Sequence, residues 1–223
     1  MFDIERALGQ DLELAQQSII DLSGTVSGRL KLATSHHIGL HRLAPVLRRF
    51  SENYPAVKLD IDFMDSEQAY EEILRATVEL AVITLAPQQD TNMLAKPIWP
   101  DPLAFMADKA HPLCGRDSVS LQELSEHPVI LPGLNTYTGQ IAKELFVREG
   151  LQLDVAMSTN YLETIRMMAS IGLGWTILPR SMLDSRLKTI NVPIEAPQRV
   201  LGYIYHRGRS LSNAAQAFIK ELY

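Results

Sequence analysis

Three residues at one turn could do chemistry together: Ser35, His36 and His37, with His41 four positions further on. A serine hydroxyl donates and accepts hydrogen bonds, and an imidazole does both from its two nitrogens. Histidine titrates near neutrality, so the group could make a pH-sensitive anion site. The spacing of His37 and His41 can also hold a metal. No cysteine or carboxylate is positioned by sequence to complete that set, so no metal and no cofactor is expected. Arg42, Arg48 and Arg49 read as a solvated helix face or a subunit contact. The single cysteine, Cys114, reads as a simple thiol and excludes an intrachain disulfide.

The elements around that turn explain why it should face a ligand. Leu30 and Leu32 alternate with Arg29 and Lys31, as in a strand, and Leu43, Val46, Leu47, Phe50 and Tyr54 recur at helical spacing. Pro55 stops the helix, and Val57, Leu59, Ile61 and Phe63 make a second strand. This is a strand–helix–strand unit with a parallel sheet and a right-handed crossover. The turn at the strand's carboxyl end meets the helix's amino end, where free N–H groups and the helix dipole favour an anion. Capping of those amides by Ser35 or Thr34 is the competing use of the hydroxyls.

The same pattern recurs along the chain. A helix over residues 67–76 leads to an apolar strand over 78–85, whose Thr84 reads from the residues alone as a buried threonine bonded to backbone. Two short strands are expected over 94–98 and 102–107. Ser120 caps a short helix. A strand over 129–131 leads to a polar turn with Asn135, Thr136, Tyr137 and Thr138. A helix then ends at Gly150, and a strand over 153–157 leads to Thr159, Asn160 and Tyr161. Asn and Thr suit a polar ligand but also favour turns for their own sake. Gly172 closes the next helix, a strand ends at Pro179, and a last strand and helix follow, the helix with Ser210 as cap. That final pair is too small for a third domain and is expected to return to the first lobe. Two strand crossings would then join the lobes, with ligand in the cleft between them.

The totals agree. The 223 residues carry 46% apolar side chains and a net charge of −5, which is a poor footprint for nucleic acid. No run reaches membrane-span length and the amino end does not read as a secretory signal, so a cytoplasmic protein is expected. Ile4, Leu8, Leu12, Ala15, Ile19 and Leu22 form a heptad seam, read as a dimerising helix over residues 1–24, with a helix lying on the body of the protein as the alternative.

The pieces SGRLKLAT, LAPVLRRFSENYPAVKLDI, ATVELAVITLAP, SLQELSEHPVI, IGLGWTILP and RSLSNAAQAFIKEL, in this order and spacing, resemble the effector-binding half of LysR-type transcriptional regulators with its linker helix. Departures are Ala76 where glycine is usual, Glu79 where Asp is usual, and Trp175 where a small aliphatic is common. The resemblance implies an α/β fold of two Rossmann-like lobes, periplasmic-binding-protein-like (type II). Its domains would be a linker helix at 1–24, subdomain I at 25–105 plus 203–223, and subdomain II at 106–202. It implies an effector site at Ser35, His36, His37, Thr84, Asn135, Thr136, Thr138 and Asn160, for a small organic anion or amino-acid-like metabolite. It implies a homodimer or homotetramer that touches DNA only through a winged helix-turn-helix. Only Met1 and Phe2 precede the linker helix, so that module is expected outside this chain, which is a fragment or a naturally short protein. A free-standing small-solute-binding protein is the alternative. An enzyme is not expected, since no nucleophile–base pair, P-loop or acidic metal cluster stands in the sequence.

Overall fold

The first sheet is built outward from the most apolar strands. In the computed structural model, which describes residues 22, 24–88 and 90–223, β1 (Gly28–Thr34) lies between β2 (Val57–Phe63) and β3 (Leu80–Thr84), parallel to both. All five residues of β3 are buried, as a strand covered on both faces requires. The heptad seam falls outside the described residues except for Leu22. Helix α1 connects β1 to β2. It opens as His36–Ile38, widens into a π-turn at Gly39–Leu43 and continues as Ala44–Asn53. Its Leu43, Val46 and Phe50 pack on one face of the sheet. Helix α2 (Ser66–Leu74) covers the other face with Ala69, Tyr70 and Ile73.

The sequence predicts two short strands after β3, but the chain makes one, β4 (Met93–Asp108). Pro97, Pro100 and Pro102 lack the N–H that would mark continuous pairing. A bulge between Pro97 and Trp99 absorbs the irregularity, and β9 (Gln198–His206) pairs antiparallel along residues 93–102. Pro97 lies opposite Gly202, where a Cβ would collide with the Lys96 carbonyl. Beyond Leu103, β4 pairs instead with β7 (Thr176–Pro179) and β8 (Leu187–Thr189) of the second lobe. So β4 is shared by the two lobes. The closing strand does return to the first lobe: β9 pairs with β3. The closing helix, numbered α6 (Asn213–Glu221) below, sets Phe218 edge-on to Phe50 at 5.1 Å. Its cap is Ser212, which accepts from the Ala215 N–H, and not Ser210.

The second lobe holds α3 (Leu121–Ser125), β5 (Val129–Leu131), α4 (Tyr137–Arg148), β6 (Val155–Ser158) and α5 (Leu162–Ser170). Ser120 caps α3 in a capping box with Glu123, as its sequence predicts. The unusual Trp175 is fully buried among Phe105 and Phe146, and its indole N–H donates to the Leu124 and His127 carbonyls at 2.9 and 3.1 Å. Glu79 holds the α6 cap in place, accepting from the Ser212 N–H and hydroxyl. Ala76 adopts φ 61°, left-handed backbone that glycine enters without penalty.

Candidate functional site

A cavity of about 50 Å³ lies between the lobes, in the measure by which one water needs about 10–15 Å³. It therefore holds a handful of waters or a ligand of few atoms. The turn after β1 supplies Ser35, His36 and His37 to its wall, and the end of β3 supplies Thr84. From the second lobe come Thr136, Thr138 and Asn160. Asn135 does not line it. It sits one residue ahead of the α4 cap with its side chain exposed, because the turn points that position to solvent.

The polar groups differ in what they have left to give. Ser35 is the N-cap residue of α1 by its backbone, yet its hydroxyl makes no capping bond. Thr34 does not cap either; its hydroxyl donates to the Val82 carbonyl at 2.8 Å and ties β1 to β3. Thr84 is buried, and its N–H donates to the Ser66 hydroxyl at 3.1 Å. Thr136, in contrast, caps α4 fully: its Oγ1 accepts from the Gly139 N–H at 3.0 Å and donates to the Gly133 carbonyl at 2.7 Å. Asn160 accepts from the Gly133 N–H at 3.0 Å and donates to Asp65 at 2.5 Å.

Sequence reasoning missed the strongest charge in the wall, Arg199 on β9. It is 5% exposed, donates from Nε to Asp101 on β4 at 2.7 Å, and from Nη1 to the Thr138 hydroxyl at 3.1 Å. Its Nη2 is buried with no hydrogen-bond partner among the described residues. One charged residue opening the apolar run RVLGYIY was the available signal. Also missed were Asp65, Ser66 and Glu67. They follow β2 as Ser35 follows β1, so the strand-end rule applied once more finds them.

His37 is 4% exposed. Burial, followed by the Arg199 charge, pushes its pKa down to about 3, so its ring is neutral. Burial pushes the Glu67 carboxyl up, against the Tyr137 N–H that donates to it at 2.5 Å. Tyr137 is itself pushed up to about 12, by burial first and then by Tyr70 and Glu67. The lobes thus touch directly across the cleft through Glu67 and Tyr137, and through Asp65 and Asn160. The His36 ring lies 5.3 Å from Phe63 and 4.9 Å from Tyr161 of the other lobe. The donors and acceptors can bind and orient a polar molecule.

Comparison with known proteins agrees with this geometry. The LysR substrate binding domain family matches residues 23–223. The HTH-type transcriptional activator CmpR of Synechocystis sp. is 27% identical, over 100% of this chain and 74% of its own length. The RuBisCO operon transcriptional regulator of Allochromatium vinosum is 25% identical, over 98% of this chain and 73% of its own. Among solved structures, the regulatory domain of CcmR from Synechocystis in complex with 2-PG superposes with a TM-score of 0.79 at 22% identity, covering 88% of this chain and 96% of that one. The effector-binding domain of QuiR in complex with shikimate gives 0.78 at 16% identity, covering 88% and 95%. Among the described residues no helix is long and apolar enough to cross a membrane. The chain belongs to the LysR-type transcriptional regulators and contains their effector-binding domain, two periplasmic-binding-protein-like lobes that sense a small molecule.

Proposed function

We propose that the interlobe cavity takes a small, compact organic anion, with an amino-acid-like metabolite as the nearest variant. The observation that carries this reading is Arg199, which lines the cavity and whose buried Nη2 has no hydrogen-bond partner among the described residues. A buried charged donor left without a partner is costly, and a carboxylate oxygen would satisfy it. The free Ser35 hydroxyl and the open amino end of α1 favour the same charge. His36, His37, Thr84, Thr136, Thr138 and Asn160 complete the proposed site. Glu67 and Asp65 also line the cavity, where an ammonium group would meet them. Solved structures of the same fold are bound to 2-PG and to shikimate, which supports a small-molecule ligand here.

The lobes divide, in this reading, at 25–105 plus 203–223 against 106–202. The ligand shifts their angle only to the extent that it prefers one arrangement. The readout passes through a homodimer or homotetramer to DNA held by a winged helix-turn-helix, and the domain turns over no substrate. A free-standing solute binder has no observation in its favour.

A thermal-shift screen with small organic anions, amino acids and aromatic acids tests the ligand class, since bound ligand raises the melting temperature. An anion should shift the wild type. Loss of a hydrogen bond to a charged ligand, worth about 1.5–3 kcal/mol, should weaken it at least about tenfold in Ser35→Ala. Stabilisation by uncharged or cationic compounds alone would defeat the anion reading.

A further inference from the structure

We infer that His37, His41 and Glu163 form a binding site for a zinc-class dication, assembled from both lobes at the edge of the cleft. The histidines sit on α1 and the carboxylate on α5, and the three ligand atoms lie within 4.8 Å of one another. Two histidines and one glutamate are a recurring zinc set, with nitrogen at about 2.0–2.1 Å and oxygen at about 2.0–2.2 Å. Three atoms this close share a point that each reaches by moving less than about 1 Å.

Independent observations aim the groups at one spot. His37 is almost fully buried, and both its ring nitrogens lack a hydrogen-bond partner among the described residues. Buried polar atoms are rarely left so. Its ring lies 4.7 Å from that of His41. His41 Nε2 already meets Glu163 Oε1 at 2.6 Å, so an ion would take the place of the proton between them. The other oxygen, Glu163 Oε2, is held by Arg166 at 2.6 Å, an outer contact of the kind that fixes a ligating carboxylate. The guanidinium groups nearby carry carboxylates of their own. Arg42 and Arg199 share Asp101, and Arg166 also faces Asp184 at 3.6 Å. Asp101 and Asp184 offset part of that positive charge, and the Glu163 carboxylate faces the ion directly. The π-turn at Gly39–Leu43 widens α1 between the two histidines. Such turns cluster at functional sites.

An ion bound here would tie the two lobes together in the arrangement described above. The site does not depend on the effector reading: either can fail alone. Untagged, chelator-stripped protein is titrated with Zn²⁺ by calorimetry and with Co²⁺ by visible absorption. The expected result is one ion per chain, with the intense d–d bands of four- or five-coordinate Co²⁺. Glu163→Gln and His41→Ala, both at partly exposed positions, should each weaken Zn²⁺ at least about tenfold. His206→Ala, whose ring instead accepts from the Gly208 N–H, should leave binding unchanged. Zn²⁺ binding that survives both cleft variants, or that drops equally in His206→Ala, overturns the site, as does the absence of a bound ion. Failure of the effector reading shows separately, as an anion screen without response on the zinc-free protein.

Discussion

The two strand-end turns that face each other across the cleft occupy equivalent places and spend their polar groups differently. Ser35, His36 and His37 open α1; Thr136, Tyr137 and Thr138 open α4. At the cap position, Thr136 is consumed by its own helix while the Ser35 hydroxyl makes no cap bond. One residue on, the Tyr137 N–H is taken by Glu67 from the opposite lobe. At the third position both residues are buried near Arg199: Thr138 accepts from it, whereas His37 is held neutral beside it. The first lobe's turn thus keeps groups in reserve for a ligand, and the second lobe's turn is largely satisfied within the protein. Equal topology does not make equal binding surfaces; what decides is which donors and acceptors the fold has already used.

The largest expected contrast is at the third position. Below about pH 6.5 the unfolded chain protonates His37, but the folded chain resists until about pH 3. The unfolded state then binds the extra proton, so stability falls as pH falls through that window and is fully retained above it. The loss is on the order of a few kcal/mol. His37→Thr, which copies the residue of the other turn, should flatten the acid limb of a urea-midpoint profile. A limb equally steep in the variant would show that other groups cause it.

The position of these turns was legible in the sequence, and their state was not. Strand-end geometry follows from local periodicity, and so it located Ser35, Thr84, Thr136 and Asn160 around one cavity. Whether a hydroxyl is free depends on partners far along the chain. Thr34 is spent on Val82, 48 positions away, and Arg199 meets Asp101 across 98. Glu163, which stands 122 positions from His41, is invisible to any spacing rule for the same reason. The β4 strand was misread because its prolines look like punctuation, and only the β9 partner shows that the ladder tolerates them. The return of β9 and α6 to the first lobe was legible, since a lone strand and helix have no core of their own.

A smaller contrast concerns the glycine in the first turns of each helix. A Cβ at Gly139 would strike the Gly133 carbonyl, backbone that is itself fixed by the Thr136 cap. A Cβ at Gly39 would strike the ring of Phe63, a 47% exposed side chain that can yield where backbone cannot, at the cost of its stacking on His36. Gly139→Ala should therefore cost about 1–3 kcal/mol, as overpacking does. Gly39→Ala should stay within about 1 kcal/mol, because the better helix propensity of alanine offsets the displaced ring. Denaturant midpoints compare the two, and equal losses would mean the first turn is as tightly built as the second.

The finest test exchanges stability against binding at the cap position itself. Thr136→Ala removes a hydroxyl that satisfies a helix amide, so it should destabilise by about 0.5–2 kcal/mol, the cost of losing an N-cap. Ser35→Ala removes a hydroxyl with no capping duty, so its stability should stay within about 0.5 kcal/mol. The order reverses for ligand. With an anion found by the screen, Ser35→Ala should lose affinity more than Thr136→Ala, whose oxygen already serves two partners. Thermal denaturation with and without that anion reads both quantities on the same samples. If Ser35→Ala destabilises the free protein as much as Thr136→Ala, the hydroxyl does cap in solution and the asymmetry between the turns disappears.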